Sequence, residues 1–167
     1  GVLELLPTIA DGVFQRGADG LGHLMAATGA GALCAAIMIA GRAAPDDRTL
    51  PRPALVAIFV GFAATLAIGL SPLWPVTLMV VGIGGFCSTY VGVTLQSTVQ
   101  MRIRDGERGR VMSLWSLVAI GGAAIGALVM GAAADMIGAD YALSIAALAG
   151  AGAAGAIILA DRWLAGR

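Results

Sequence analysis

Five polar or thiol side chains lie in a long apolar stretch at a spacing that brings them together on a helix. No charged residue occurs from Pro53 to Met101, a run of 49 residues. At 100° per residue, one arc of about 100° holds Cys87, Tyr90, Thr94, Ser97 and Thr98. We call this set the polar stripe. Such side chains either contact a ligand or form hydrogen bonds between helices, and the sequence leaves both interpretations open.

Glu4 is an acid within an apolar segment. A charged side chain at the centre of a bilayer costs roughly 2.5–3.5 kcal/mol on insertion scales, so it needs a cavity, a partner or a proton. The carboxyl group is therefore a candidate cation or proton site. The alternative is a position near the outer headgroups, because Pro7 and Asp11 follow closely.

A cluster of charges separates the last two uncharged runs from the earlier ones. Asp105 and Glu107 precede an apolar run, and negative charge is stabilised at the start of a helix. Arg108 and Arg110, together with Arg42 in an earlier loop, could form ion pairs that exchange between two states of the protein. The simpler interpretation is that these arginines only set the orientation of the helices in a membrane.

The composition excludes several classes of protein. The 167 residues are 59% hydrophobic and 12% charged, and the charged share is about half that of a soluble domain. All ten basic residues are arginine, which excludes a lysine-dependent phosphate loop, Schiff base or general base. One His and two Cys are too few for the usual zinc sites, and zero net charge argues against a nucleic-acid partner. We therefore expect an integral membrane protein that is not an enzyme, with no catalytic residue, metal or cofactor.

Uncharged runs predict where the helices lie. A spanning helix needs about 20 apolar residues, so the 49-residue run holds two helices. They separate at Ser71–Pro75, where two prolines disfavour a continuous helix. The five predicted spans are Gly20–Gly41, Ala54–Leu70, Trp74–Gln100, Val111–Ala134 and Tyr141–Ala160.

The arginines orient these spans. If residues 11–19 lie outside, alternation places nine arginines inside and Arg16 alone outside, which is a strong positive-inside bias. Residues 42–53 and 101–110 are then cytoplasmic loops, and residues 161–167 form a cytoplasmic tail.

Residues 1–10 are apolar but make only half of a span. The segment starts at Gly rather than Met and lacks the charged start of a signal peptide. We therefore expect the chain to begin inside a truncated helix and to be the C-terminal piece of a longer protein.

Small residues are abundant, and in lipid they allow helix backbones to approach closely. The best-spaced examples are Gly122-x-x-x-Gly126 and the series of Ala147, Ala151 and Gly155. Close packing at these positions is one interpretation. The other is that such pairs arise by chance in an Ala- and Gly-rich sequence.

Four segments, spread along the chain from Leu5 to Gly138, carry a resemblance to a known family. The most specific piece is Arg108-Gly109-Arg110-Val111-Met112-Ser113. The segments are Leu5–Ala10, Gly20–Ala32, Asp105–Leu114 and Gly126–Gly138. They resemble the C-terminal half of a major facilitator superfamily transporter, in the branch of transmembrane secretion effectors, enterobactin exporters and macrolide efflux proteins.

The resemblance implies an all-α integral membrane fold, the C-terminal six-helix half of a 12-helix bundle. Residues 1–10 would be the end of a truncated helix 7, and residues 11–19 an outer loop. The five full spans would be helices 8 to 12 in chain order.

The resemblance also implies a function: a secondary active exporter of drugs, siderophores or other small molecules, driven by a proton gradient through alternating access. Its partners would be the lipid bilayer, the missing N-terminal half with helices 1–6, the substrate and protons. It would lie in the bacterial inner membrane with a cytoplasmic C-terminus. The candidates for the substrate cavity are Glu4, Cys87, Tyr90, Thr94 and Ser97. The alternative is a small self-contained oligomeric membrane protein, a scaffold or assembly factor without transport activity.

Overall fold

The computed structural model describes residues 6–7, 9–41, 52–70, 73–103 and 105–165. Within these ranges the chain is helical and contains no strand, so the expected all-α fold is confirmed. A π-helical turn precedes the first long helix, and a 3₁₀ turn precedes the fourth. The five long helices are α1 (Gly17–Ala40), α2 (Arg52–Leu70), α3 (Trp74–Arg102), α4 (Arg108–Ile137) and α5 (Ala139–Ala165).

Four of these helices are long and apolar enough to cross a membrane, namely α1, α3, α4 and the Tyr141–Leu159 part of α5. The remaining long helix, α2, has an apolar stretch of 17 residues, Arg52–Ile68, which is at the lower limit of a spanning helix. The sequence predicts five full spans. The structure has four of full length in the described ranges, together with the shorter α2.

Several helices extend beyond their predicted ends. α4 starts at Arg108 rather than Val111 and ends at Ile137 rather than Ala134, and α3 continues to Arg102. Charged residues occur in these added turns, whereas the predicted spans stop at the first charge. A helix that leaves the hydrocarbon core keeps its backbone hydrogen bonds, so it has no reason to end at that boundary.

α1 also begins earlier than predicted, at Gly17, so the expected outer loop 11–19 is partly helical. The preceding chain turns back on itself through a hydrogen bond from the backbone N–H of Arg16 to the carbonyl of Ala10, at 2.8 Å. Gln15 and Gly17 both have φ near +50° in this turn.

The break between α2 and α3 lies where the prolines predict it. Leu73 is extended, with φ −105° and ψ 115°, and α3 begins at Trp74. Pro75 lies in the first turn of α3, where its missing N–H removes no helical hydrogen bond.

A single residue joins α4 to α5, although the predicted spans leave residues 135–140 between them. Gly138 has φ 89° and ψ 151°, a conformation that glycine adopts readily because it lacks a Cβ. Its backbone N–H donates to the carbonyl of Ala134 at 2.9 Å and so closes the end of α4.

The long helices alternate in direction, and their ends form two groups. The starts of α1, α3 and α5 lie with the ends of α2 and α4, at what we call the Trp74 end. A buried apolar cluster holds this end together, formed by Leu6, Ile9, Ala10, Leu24, Ile68, Val81 and Leu143.

The opposite end, which we call the Arg108 end, carries most of the arginines whose side chains the structure describes. Arg52, Arg108 and Arg110 lie there, at the starts of α2 and α4, whereas Arg16 precedes α1 at the Trp74 end. The alternation on which the arginine bias depends is therefore present in the described helices.

Glycine allows the backbones of α1 and α3 to touch. A Cβ added at Gly31 would overlap the carbonyl of Gly82, and a Cβ added at Gly85 would overlap the carbonyl of Thr28. In lipid, such close contact is a main source of helix association. These glycines therefore fix the distance between α1 and α3.

The glycines singled out from the sequence behave differently. A Cβ added at Gly122, Gly126 or Gly155 would meet no atom within 4 Å, although Ala147 is buried. The structure therefore contradicts close packing at Gly122 and Gly126 among the described residues, because a side chain at either position would point into open space.

α4 is the least packed of the long helices. It packs mainly against α5, and none of its residues is buried. Its large apolar side chains are exposed along much of its length, including Leu114, Leu117, Ile120, Ile125 and Leu128. This surface needs lipid or another membrane segment to cover it.

Candidate functional site

The polar stripe lies on the packed side of α3. Four of its members are almost fully buried, with exposed fractions of 4% for Cys87, 6% for Tyr90, 7% for Thr94 and 8% for Thr98. Ser97 is half-buried. The periodicity thus grouped these residues correctly, and the group faces neighbouring helices in this structure.

Cys87 and Tyr90 belong to a second buried cluster. Their neighbours in it are Ala35 of α1 and Ala54 and Ala57 of α2. The Tyr90 ring also stacks on Phe86, with ring centroids 6.1 Å apart and an angle of 4° between planes. Contacts between helices account for the position of both residues in the described part of the chain.

Thr98 forms its hydrogen bond within α3. Its hydroxyl donates to the carbonyl of Thr94 at 2.8 Å. Threonine commonly satisfies its hydroxyl in this way when a helix is in an apolar environment. The hydroxyl hydrogen of Thr98 is therefore used within α3 and does not join this helix to a neighbouring one.

A cavity of about 400 Å³ lies beside this stripe, mainly between α2 and α3. Cys87 is the stripe member that lines it. Gly61, Phe62 and Thr65 line it from α2, and Gly84 is among the α3 residues facing it. This cavity was not predicted from the sequence. The only available signal was the run of small residues on both helices, and such runs do not by themselves separate a cavity from close packing.

The loop candidates lie at the Arg108 end. Glu107 is the residue before α4, and its side chain makes no capping hydrogen bond. Glu107, Arg108 and Arg110 are all exposed. Ser113 donates from its hydroxyl to the carbonyl of Arg110 at 2.8 Å, within the first turns of α4. The arrangement places this group of charges at one end of the bundle.

Three of the predicted site residues are not described at the level of their side chains. Glu4 and Arg42 lie outside the described residues, and only the backbone of Asp105, in the 3₁₀ turn, is described. Their roles stay predictions.

A contact at the Trp74 end had no signal in the sequence. The guanidinium carbon of Arg16 lies 4.7 Å from the centre of the Trp74 ring. The Phe14 ring meets the same indole edge-on, with centroids 5.1 Å apart. These contacts join the turn before α1 to the first residue of α3. Residues almost sixty positions apart share no pattern that would predict the pairing.

Comparison with known proteins agrees with this architecture. The profile of the transmembrane secretion effector family matches residues 1–163. The enterobactin exporter EntS of Shigella flexneri is 30% identical over 139 residues, and its counterpart in Escherichia coli O1:K1 gives the same identity and length. The aligned part is 81% of this chain and 32% of each relative, so the chain spans about a third of their length. No solved structure gives a significant match.

The match extends over almost the whole chain, and both the family and the relatives are membrane transporters rather than enzymes. The helical bundle, with four helices of spanning length in the described ranges, fits that class. The chain belongs to the transmembrane secretion effector family of the major facilitator superfamily.

Proposed function

We propose that this chain is the C-terminal part of a secondary active exporter that moves small molecules out of bacteria. The observation that carries the proposal is the family match over residues 1–163. The substrates are drugs, siderophores or similar molecules, since the relatives named above are enterobactin exporters. A proton gradient drives the transport, and the two halves of the full protein alternate between inward- and outward-facing states.

Within this proposal, the polar stripe contributes to the substrate path. Support comes from its position near the middle of α3, in a run of 49 residues without charge. Polar groups in such a run are expensive unless they serve a site or a helix contact. Tyr90, Thr94 and Ser97, with Cys87, would contact substrate in the open state, and Glu4 would carry a proton or cation.

The proposed partners are the lipid bilayer, the substrate, protons and an N-terminal half that contains helices 1–6. Support for a packing partner comes from the large apolar side chains of α4 that no described residue covers, such as Leu117, Ile120 and Leu128. The charged group of Asp105, Glu107, Arg108 and Arg110, together with Arg42, would exchange ion pairs with the partner half during rocking.

We infer an inner-membrane location with a cytoplasmic C-terminus. Support comes from the arginines, since the Arg108 end holds Arg52, Arg108 and Arg110 and the Trp74 end holds Arg16. Cytoplasmic loops carry an excess of arginine and lysine. The Arg108 end would then face the cytoplasm.

A second candidate is a small oligomeric membrane scaffold without transport activity. The exposed apolar surface of α4 favours it, because a second copy of the chain could cover that surface as well as an N-terminal half could.

The test is export by the full-length protein in bacteria that lack their own enterobactin exporter. We expect its expression to lower the enterobactin retained in the cells, and the double variant Tyr90→Phe, Thr94→Ala to reverse this effect. Thr77→Ala is the matched control, since Thr77 is also buried on α3 and its hydroxyl donates to the carbonyl of Leu73.

The outcomes separate the two candidates. Unchanged export by the double variant, at equal protein level in the membrane, would remove the polar stripe from the substrate path. A protein that exports neither enterobactin nor a panel of drugs, and that purifies as a homo-oligomer, would favour the scaffold.

A further inference from the structure

The turn that leads into α1 has an unusual hydrogen-bond register. This segment, residues 9–16, begins as a π-helix, and we call it the entry turn. The backbone N–H of Phe14 donates to the carbonyl of Ile9 at 3.2 Å, one residue further back than in an α-helix. The N–H of Arg16 reaches back to the carbonyl of Ala10 at 2.8 Å. Single π-helical turns are rare and frequently lie at functional sites.

An α-helical register would use the same backbone groups differently. The N–H of Phe14 would donate to the carbonyl of Ala10, and the N–H of Arg16 would move to the carbonyl of Gly12. Because each N–H donates to one carbonyl at a time, the two registers exclude each other. One residue corresponds to 100° around a helix, so a change of register turns the side chains of Phe14 and Arg16 away from their present neighbours.

The π register is held against the preference of its own backbone. Gln15 has φ 51°, a region that residues other than glycine adopt rarely and at a cost, and Gly17 follows with φ 52°. Such a conformation persists only where neighbouring contacts hold it, and it is common in switch regions. Ile9 and Ala10 are fixed in the buried cluster of the Trp74 end, so the movable part of the turn is residues 14–16.

Trp74 provides the contacts that hold this register. The guanidinium carbon of Arg16 lies 4.7 Å from the centre of the indole, and the Phe14 ring meets the indole edge-on. Gly20 of α1 leaves room for the arrangement, because a Cβ there would overlap the Cβ of Arg16 and lie 3.3 Å from the indole. Arg16 is exposed, and a cation–π contact at an exposed site is weak. A strained register is thus held by contacts that are easily lost.

We propose that the entry turn is a conformational switch with a closed π register, docked on Trp74, and an open α register, in which Phe14 and Arg16 leave the indole. The closed register joins the starts of α1 and α3 at the Trp74 end. The open register exposes Trp74 to water and frees the turn from α3. The inference does not depend on the exporter function, because it concerns a local motion of the chain alone.

The experiment measures hydrogen–deuterium exchange of single backbone amides in the full-length protein, reconstituted in lipid nanodiscs. A local switch opens its own amides without unfolding its neighbours. We expect Arg16→Ala to lower the protection of the Phe14, Gln15 and Arg16 amides by about two- to fivefold, the equivalent of one exposed cation–π contact. The amide of Leu24, within α1, should keep its protection. Arg52→Ala, which removes an exposed arginine at the Arg108 end, is the matched control and should behave as the parent does.

Two backbone variants separate a switch from a turn that merely frays. Gln15→Gly removes the cost of a positive φ, so it should raise the protection of the three amides and restore it when combined with Arg16→Ala. Gly17→Ala should lower the protection, because a side chain disfavours φ 52° even though its Cβ would meet no atom within 4 Å. Both positions are exposed, so opposite effects would arise from the backbone and show a balance between two registers.

Deletion of Gly12 tests the register itself. A π-helical turn contains one residue more than the α-helical turn it replaces, and Gly12 has no side chain to lose. Without this residue the bonds of the turn become α-helical while residues 14–16 stay on Trp74. The deletion should therefore remove the switch, and adding Arg16→Ala should change protection far less than it does in the parent.

The proposal is overturned if Arg16→Ala leaves the protection of the entry turn unchanged, or if Leu24 loses protection to the same extent, since the whole helix then loosens. It is also overturned if Gln15→Gly and Gly17→Ala shift protection in the same direction, or if Arg16→Ala has its full effect after deletion of Gly12. Should the deletion prevent folding, the point variants alone decide. Every measurement is made without substrate, so failure of the exporter proposal would leave these results unchanged.

Discussion

α3 and α4 are almost equal in length, at 29 and 30 residues, and both are apolar enough to span a membrane, yet they pack in opposite ways. α3 lies between α1 and α2 and buries several polar residues, among them Thr77, Tyr90 and Thr94. α4 packs mainly on α5 and buries none of its residues. The comparison shows that hydropathy places a helix in the membrane without deciding how it packs there.

The physical reason is that lipid tails are as apolar as leucine, so an apolar side chain gains little by leaving lipid for protein. Packing instead follows close backbone contact. α3 has that contact at Gly85, where the carbonyl of Thr28 leaves no room for a side chain, and at Gly82, whose carbonyl leaves no room for a Cβ on Gly31 of α1. α4 has glycines of its own, but those at Gly122 and Gly126 face open space.

The largest effect is expected from a substitution that breaks the backbone contact between α3 and α1. Gly85→Leu places a side chain against the carbonyl of Thr28, and overpacking against rigid structure costs about 1–3 kcal/mol, occasionally more. We expect the purified protein to lose most of its thermal stability or to accumulate poorly. Gly122→Leu on α4 is the matched control and should stay within about 0.5 kcal/mol of the parent. Equal loss of stability by both variants would contradict the contrast between the two helices.

A second prediction concerns the uncovered surface of α4 and rests on the proposed N-terminal half. Gly122→Leu should lower export by the full-length protein without lowering its melting temperature, because the added side chain disturbs a surface that meets the partner half. Gly152→Leu, at an equally open position on α5, should leave export unchanged. If both variants export normally, lipid rather than protein covers this part of α4.

A smaller effect is expected from removing the contact between Arg16 and Trp74, the first residue of α3. Arg16→Ala removes the cation over the Trp74 ring, and such a contact at an exposed site is worth about 0.5–1 kcal/mol. We expect a loss of stability of this order in thermal unfolding of the detergent-solubilised protein. Arg52→Ala, at the start of α2, serves as the control for loss of a positive charge. A drop in stability as large for Arg52→Ala would show that charge alone, and not the indole contact, is responsible.

The smallest effect is expected at the start of α4. Arg108→Lys keeps the positive charge but loses the planar guanidinium that can bind a carboxylate through two hydrogen bonds. If arginine at this position only orients the helices, export and topology should both be unchanged. A clear loss of export, with normal amounts of protein in the membrane, would instead identify a specific ion pair that forms during transport.

The sequence was informative where a residue acts locally. The prolines at positions 72 and 75 restrict their own backbone, so the end of α2 and the start of α3 could be predicted from them. Helices that end next to charged residues were predicted too short. A charged residue marks the edge of the hydrocarbon core, whereas the hydrogen-bonded backbone of the helix continues past it.

Contacts between distant segments could not be predicted. Periodicity grouped Cys87, Tyr90 and Thr94 on one face, but it carries no information about which helix lies opposite. Gly85 and Gly122 look alike in the sequence, and only the arrangement of the helices shows that one touches a backbone and the other does not. The same holds for Arg16 and Trp74, whose contact depends on the path of the whole chain between them.

The connection at Gly138 has a consequence for biosynthesis. Only one residue separates α4 from α5, so the linker is too short for α4 to enter the bilayer alone before α5 is made. We therefore expect the pair to leave the translocon together as a helical hairpin. Their insertion is then a single event, in which the shared turn crosses to the far side of the membrane once for both helices.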